Sequence, residues 1–176
     1  CLPNDEMEED IIPCSEGCQE GKCIEPPKNL VYNEGFELGI GGWTSSEFFK
    51  IITTDKHSGQ KSASMSNARM DSTHLIPLMA GHKYKISYWV KLLHEGDVII
   101  SGLGNDENPV AYKTGEAQVG QWTKIEYEQL IDSSGAYSLY LKCFYMTEDT
   151  SSACYIDDVS IMEAYSAHCY NSIKDI

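Results

Sequence analysis

Hydrophobic residues along much of this chain recur at every second position. Tyr84, Ile86, Tyr88 and Val90 alternate with Lys85, Ser87, Trp89 and Lys91, and Leu139, Leu141 and Cys143 alternate with Tyr140, Lys142 and Phe144. Successive side chains of a β-strand point to opposite faces, so this period marks strands with one buried face. Val98 to Ile100, Thr123 to Tyr127 and Tyr155 to Ile161 read as further strands. Turn-forming groups separate them: Ala80-Gly81-His82, Glu95-Gly96-Asp97, Val119-Gly120-Gln121 and Ser133-Ser134-Gly135. No helical period of useful length interrupts the series. Many short strands joined by turns predict an all-β sandwich or barrel.

The pattern stops at both ends. The first 28 residues contain Asp5-Glu6-Met7-Glu8-Glu9-Asp10, a run that repels itself and cannot form a core. Cys14, Cys18 and Cys23 follow among glycines and acidic residues, and Pro26-Pro27 reads as a stiff linker. Three segments result: an acidic cysteine-rich arm over 1–28, the β domain over 29–163, and a tail over 164–176. The arm has too few apolar groups to fold by burial, so disulfides among Cys1, Cys14, Cys18 and Cys23 are expected to hold it, in any of three connectivities. Cys143 and Cys154 flank a segment expected to join two antiparallel strands, and are expected to bond across that hairpin. Cys169 is left over, which suggests an intermolecular bond, a partner beyond this sequence, or a thiol. A zinc site is not expected, because Cys-x3-Cys-x4-Cys lacks a second close pair of ligands.

Composition narrows the setting. Seven cysteines in 176 residues suit an oxidising, secreted or extracellular location better than the cytosol. No stretch approaches the ~20 apolar residues that span a bilayer. No signal peptide precedes Cys1, so a leader is expected to have been removed or to lie outside this sequence. With 27 acidic against 13 basic residues the formal charge is −14, which excludes nucleic acid and anionic membrane surfaces as partners. No nucleophile elbow, zinc-protease pattern or phosphate loop is present. His57, His74, His82, His94 and His168 are scattered through turn-like surroundings. The chain is expected not to be an enzyme, although it could be a fragment of one or accessory to one.

Five landmarks carry a family resemblance. Asn33-Glu34-Gly35-Phe36-Glu37 is followed by Gly42-Trp43; a short loop runs from His57 to Ala63; the Tyr84–Lys91 strand comes next; Gly120-Gln121-Trp122-Thr123 follows; and Tyr155-Ile156-Asp157-Asp158-Val159 closes the series. In this order they resemble the jelly-roll carbohydrate-binding modules, over about residues 29–163. The resemblance implies a jelly-roll β-sandwich whose first motif is an opening strand, and a non-catalytic carbohydrate-binding function. It also implies a structural calcium ion, held by Glu37 and Asp157 with carbonyls near Gly35 and the Asp55–Gly59 loop, Asp55 adding a side chain. Calcium takes about 6–8 oxygen ligands, which suits such a set. Strand parity places Asp157 on the face of Val159 and Ile161, with Asp158 pointing outward.

In the related modules sugars lie on aromatic faces, in a groove across one sheet or on the loops at one end. The residues opposite in parity to the core are the candidates here: Trp89 with Ser87 and Lys91, Tyr140 with Lys142 and Phe144, and Tyr112 at the edge. Trp43 and Trp122 belong to fold landmarks and are expected to pack. The alternative function is a structural subunit of an extracellular assembly, self-associating through residues 1–28 or Cys169.

Overall fold

A computed structural model describes residues 27–45, 48–104, 117–144 and 153–164, together with the backbone of 18–19, 22–23, 109–115 and 145. The chain divides into a unit spanning Lys28–Ala164 and a second formed by Cys1–Pro27 and Tyr165–Ile176. Of the second, β1 (Cys18–Gln19) and β2 (Lys22–Cys23) pair antiparallel with Cys18 opposite Cys23. Cys1, Cys14 and Cys169, and the side chains of Cys18 and Cys23, lie outside the described residues, and with them the expected disulfide framework of the arm.

The larger unit is all-β among the described residues. Its strands are β3 (Trp43–Ser45), β4 (Phe49–Ile52), β5 (Ser62–Ser66), β6 (Ala68–Ser72), β7 (Ile76–Leu78), β8 (Lys83–Leu92) and β9 (Asp97–Gly104). They continue with β10 (Pro109–Gly115), β11 (Thr123–Leu130), β12 (Gly135–Tyr137), β13 (Leu139–Tyr145) and β14 (Ala153–Glu163). Sheet I has the order β10-β9-β13-β6-β3, sheet II the order β11-β8-β14-β5-β4, and β7 pairs with β12. The strand pairs of both sheets are antiparallel. Among the described residues no helix is long and apolar enough to cross a membrane.

The alternation read from the sequence is the reason for the two layers. Tyr84, Ile86, Tyr88, Val90 and Leu92 of β8 are buried, as are Leu139, Leu141 and Cys143 of β13. They share one core with Ala63, Met65, Met70, Ile99, Leu103, Ile156 and Ile161. The Ser101 and Tyr127 hydroxyls, on β9 and β11, lie 3.0 Å apart and link the two sheets. Burial pushes the Tyr127 phenol up to about 12.

Three expectations are corrected. The first motif is not a strand: residues 31–42 form successive turns. Asn33 and Phe36 have φ of 53° and 58°, which a strand excludes. The Asn33 side chain holds the turns together, donating to the Gly39 and Gly41 carbonyls and accepting from the Leu38 amide at 2.9 Å.

Secondly, β14 carries a bulge opposite β8 between Asp157 and Ser160, with Asp158 at φ 48°. The extra residue reverses parity. Asp157 is in register with Trp89 on the outer face of sheet II, while Val159 and Ile161 stay in the core.

Thirdly, β13 and β14 do not form a hairpin. They belong to different sheets, and Cys143 and Cys154 are buried between the layers rather than paired across neighbouring strands.

Candidate functional site

The outer face of sheet I is set by strand register. Thr44, Asp71, Tyr140, Gly102 and Tyr112 form one row across five strands, and Arg69, Lys142, Ile100 and Thr114 form the next. Phe144 sits one step further along β13, opposite Val98. The face therefore brings together Tyr140, Lys142 and Phe144, with the backbone of Tyr112 in the first row; the Tyr112 side chain lies outside the described residues. Tyr140 is not an open platform, being only 2% exposed. The Arg69 guanidinium lies 4.4 Å from its ring centroid and is held there by Asp71, which accepts from Nε at 2.9 and 3.0 Å and also from Nη2. This paired geometry is the strong form of a charge-assisted hydrogen bond. Lys142 is exposed, with Nζ 5.7 Å from the centroid of Phe144. No motif in the sequence singles out Arg69 and Asp71. Their signal is the alternation of β6, where Ala68, Met70 and Ser72 point inward and Arg69 and Asp71 outward.

Trp89, with Ser87 and Lys91, is on the opposite side of the sandwich, the outer face of sheet II, and cannot share a groove with Tyr140. One face of its indole is occupied: the His57 ring stacks on it at 3.8 Å and 15°. Trp122, at the end of the preceding turn, meets His57 edge-on at 5.9 Å. The indole N–H of Trp122 donates to Asp55 Oδ1 at 3.1 Å, and Lys91 donates to Oδ2 at 2.7 Å. The loop from Asp55 to Ser58 thus masks Trp89. Trp43 packs as expected, 3% exposed, with its indole N–H on the Asn33 carbonyl.

That loop also joins the two motif carboxylates at one end of the sandwich. Asp157 is fully buried and accepts from the amides of His57 (2.9 Å) and Ser58 (3.1 Å) through Oδ2, and from that of Asp158 through Oδ1. Burial raises its pKa above the ordinary carboxylate range, against the lowering effect of the Ser58 amide. Asp158 accepts from the Ser58 hydroxyl and pairs with His57 Nδ1 at 2.6 Å. Glu37 accepts from the Gln60 and Lys61 amides, which hold its pKa below the usual range. Gly59, at φ 57°, lies so close to this carboxylate that any side chain there would collide with it.

The Gly35 backbone approaches the same spot: a Cβ there would lie 3.8 Å from Asp157 Oδ1 and 3.7 Å from Asp158 Oδ1. Two carboxylates and a close backbone segment are suitable oxygen donors for a hard cation. Asp55 lies on the Trp122 side of the loop, where its oxygens accept from the Trp122 indole N–H and the Lys91 ammonium. Among the described residues, no three His, Cys, Asp or Glu side chains converge as a metal cage. A cleft of about 560 Å³ opens at this end, lined by Tyr32, Glu34, Glu37, Leu38 and Asp158 among others.

The Cys143 and Cys154 side chains touch across the core. The Cys154 thiol pKa is raised strongly, first by burial and then by Cys143 beside it.

No curated protein sequence matches the chain. Solved structures do. TmCBM61, determined in complex with β-1,4-galactotriose, superposes with a TM-score of 0.60 at 17% identity, over 78% of this chain and 99% of that one. A family 16 carbohydrate-binding module gives 0.58 at 19% identity, over 76% and 99%. The CBM22-1 xylan-binding domain of Paenibacillus barcinonensis Xyn10C gives 0.54 at 17% identity, over 76% and 94%. At these identities the likeness establishes the β-sandwich fold. The sequence model of the family described as "Carbohydrate binding domain" matches residues 28–146, more than half of the chain. The chain therefore belongs to that carbohydrate-binding family and is a non-catalytic binding module.

Proposed function

We propose that this protein is an extracellular module that holds a polysaccharide across the outer face of sheet I. The observation that carries this reading is the cluster of Arg69, Asp71, Tyr140, Lys142 and Phe144 on one sheet face. It offers fixed hydrogen-bonding groups and an aromatic edge, the mixture that sugar hydroxyls and ring faces require. The other sheet face has its indole capped by His57 and three of its lysines matched to carboxylates, Lys91 to Asp55 and Lys85 and Lys124 to Glu126. Native electrophoresis through gels cast with single polysaccharides tests the proposal. Migration is expected to slow in at least one gel, and Arg69→Ala, with an unchanged fold by circular dichroism, is expected to abolish the shift. Equal retardation of the variant would move the site elsewhere.

An extracellular setting agrees with seven cysteines, and Cys143 and Cys154 supply a test of it. We propose that they close a disulfide between the sheets in an oxidising compartment. The bridge would enclose a loop of about a dozen residues and add about 3 kcal/mol on the chain-entropy account. Protein exported to an oxidising compartment is expected to resist alkylation at both positions when denatured, and to melt higher than its reduced form. Full alkylation of both thiols without reductant would exclude the bridge.

We also propose a structural calcium ion at Glu37 and Asp157, with the backbone near Gly35 as a further donor. Its role would be to tie the opening turns to β14; its test accompanies that of Asp157 below.

A further inference from the structure

We propose that the cleft of about 560 Å³ beside Glu37 and Asp158 is a second carbohydrate site, separate from the outer face of sheet I. It takes a short uncharged oligosaccharide, free or at the end of a chain. The assignment rests on the carbohydrate-binding family of the chain and not on the reading of the sheet I face.

A sugar ring needs an aromatic plane that is both open and fixed, and Tyr32 supplies one. Its ring lines the cleft and is 48% exposed. His74 packs against it with ring centroids 4.5 Å apart. The Gly42 backbone comes so close that a Cβ there would lie 2.5 Å from the ring. Two neighbours therefore hold the ring while about half of it faces solvent. Tyr140, closed under Arg69, and Trp89, covered by His57, do not combine these properties. A ring fixed before binding loses little freedom when a ligand settles on it. Leu38, which also lines the cleft and is exposed, adds apolar surface.

The polar groups beside this ring are uncommitted. Among the described residues, the Tyr32 hydroxyl, the Glu34 carboxylate and the Lys28 ammonium form no hydrogen bond or ion pair, and all three residues line the cleft. Glu34 is anchored through its backbone, where its carbonyl accepts from the Val159 amide at 3.0 Å. A phenol both gives and accepts, a carboxylate accepts and an ammonium gives, so together they match sugar hydroxyls, which do both. None of the three belongs to the calcium set of Glu37, Asp157 and Gly35.

Charge and size define the ligand. Glu34, Glu37 and Asp158 line the cleft against Lys28, so a uronate or sulfate is repelled where an uncharged sugar is not. Clefts of about 300–1,000 Å³ enclose molecules of drug size, which for sugars means about two or three units and not a length of polymer. Polysaccharide chains carry few ends, so retardation in polysaccharide gels reports the sheet I face and not this cleft.

The test is titration of isotope-labelled protein with xylotriose, cellotriose and β-1,4-galactotriose, and with trigalacturonate as the charged comparison, followed by amide NMR shifts. At about 10 mM sugar a site of about 1 mM affinity is about nine-tenths filled. At least one neutral trisaccharide is expected to move the amides from Tyr32 to Leu38 and that of Gly59 to saturation, and trigalacturonate to leave them in place. Tyr32→Ala and Glu34→Ala are each expected to weaken binding about tenfold, through loss of the ring contact and of the charged acceptor. Circular dichroism checks the fold of each variant, and Glu34→Ala, at an exposed side chain, carries the test if Tyr32→Ala does not fold.

Shifts confined to Arg69, Tyr140 and Lys142 would overturn the second site and leave the sheet I face standing. Trigalacturonate alone moving the cleft amides, or an unaltered affinity in either folded variant, would overturn it as well. Shifts with no trisaccharide would overturn this site alone, because the sheet I reading is decided by the polysaccharide gels.

Discussion

Replacing Phe36 by alanine is expected to destabilise the domain by about 3–5 kcal/mol, the usual cost of emptying a buried aromatic site. For a domain of this size that lowers the melting temperature by about 10–20 °C. Phe36 is fully buried, its ring centroid 5.5 Å from that of Trp43 and 6.5 Å from that of Phe49. Its backbone sits at φ 58°, a conformation that bulky residues rarely adopt. Packing of the ring is what holds it there, and alanine would keep the backbone strain while losing the packing. The loss would spread to Gly35 and Glu37, which this turn presents to β14. Thermal and urea denaturation measure the change. A shift below about 1 kcal/mol would show that the turns over 31–42 are held without the ring, by Asn33 and its five hydrogen bonds.

The core of this fold could be read from period-two alternation because the two long inner strands, β8 and β13, obey it without interruption. Ile86, Tyr88, Leu139 and Leu141 needed no tertiary information to be placed inside. Where one residue departs from the period, the reading fails locally. Asp158 at φ 48° inserts a bulge, and Asp157 moves from the expected core face to the face of Trp89. Its burial comes from the loop at His57 and Ser58 lying over it, a contact across about a hundred residues that no local pattern encodes. The same loop accounts for Trp89: an outward tryptophan in a strand reads as a sugar platform until a histidine from elsewhere stacks on it. Parity turns Tyr140 outward, but its cover, Arg69 held by Asp71, depends on β6 lying beside β13. Proximity in sequence suggests a hairpin contact between Cys143 and Cys154. They meet instead because the chain crosses between sheets and both strands turn these residues inward.

Asp157→Ala is expected to cost about 2–4 kcal/mol, through a different route from Phe36. Three amides, those of His57, Ser58 and Asp158, lose their acceptor, and each buried N–H left unsatisfied costs about 1–3 kcal/mol. Part of that is offset because burying the charge was itself unfavourable, as the raised pKa of Asp157 records. Asp157→Asn keeps one acceptor and removes the charge, so its cost is expected to be smaller than that of alanine. Releasing the loop should also lift His57 from the Trp89 indole, seen as a red shift in tryptophan emission for the alanine variant. Calcium separates two roles for the carboxylate. If the ion ties Glu37 to Asp157, added calcium raises the melting temperature of the parent, since a ligand bound only by the folded state must stabilise it. Chelator reverses the rise, and neither treatment moves Asp157→Asn. A parent that melts identically in calcium and chelator, alongside a destabilised Asp157→Ala, would leave Asp157 as an acceptor for backbone amides and remove the metal from this end of the sandwich.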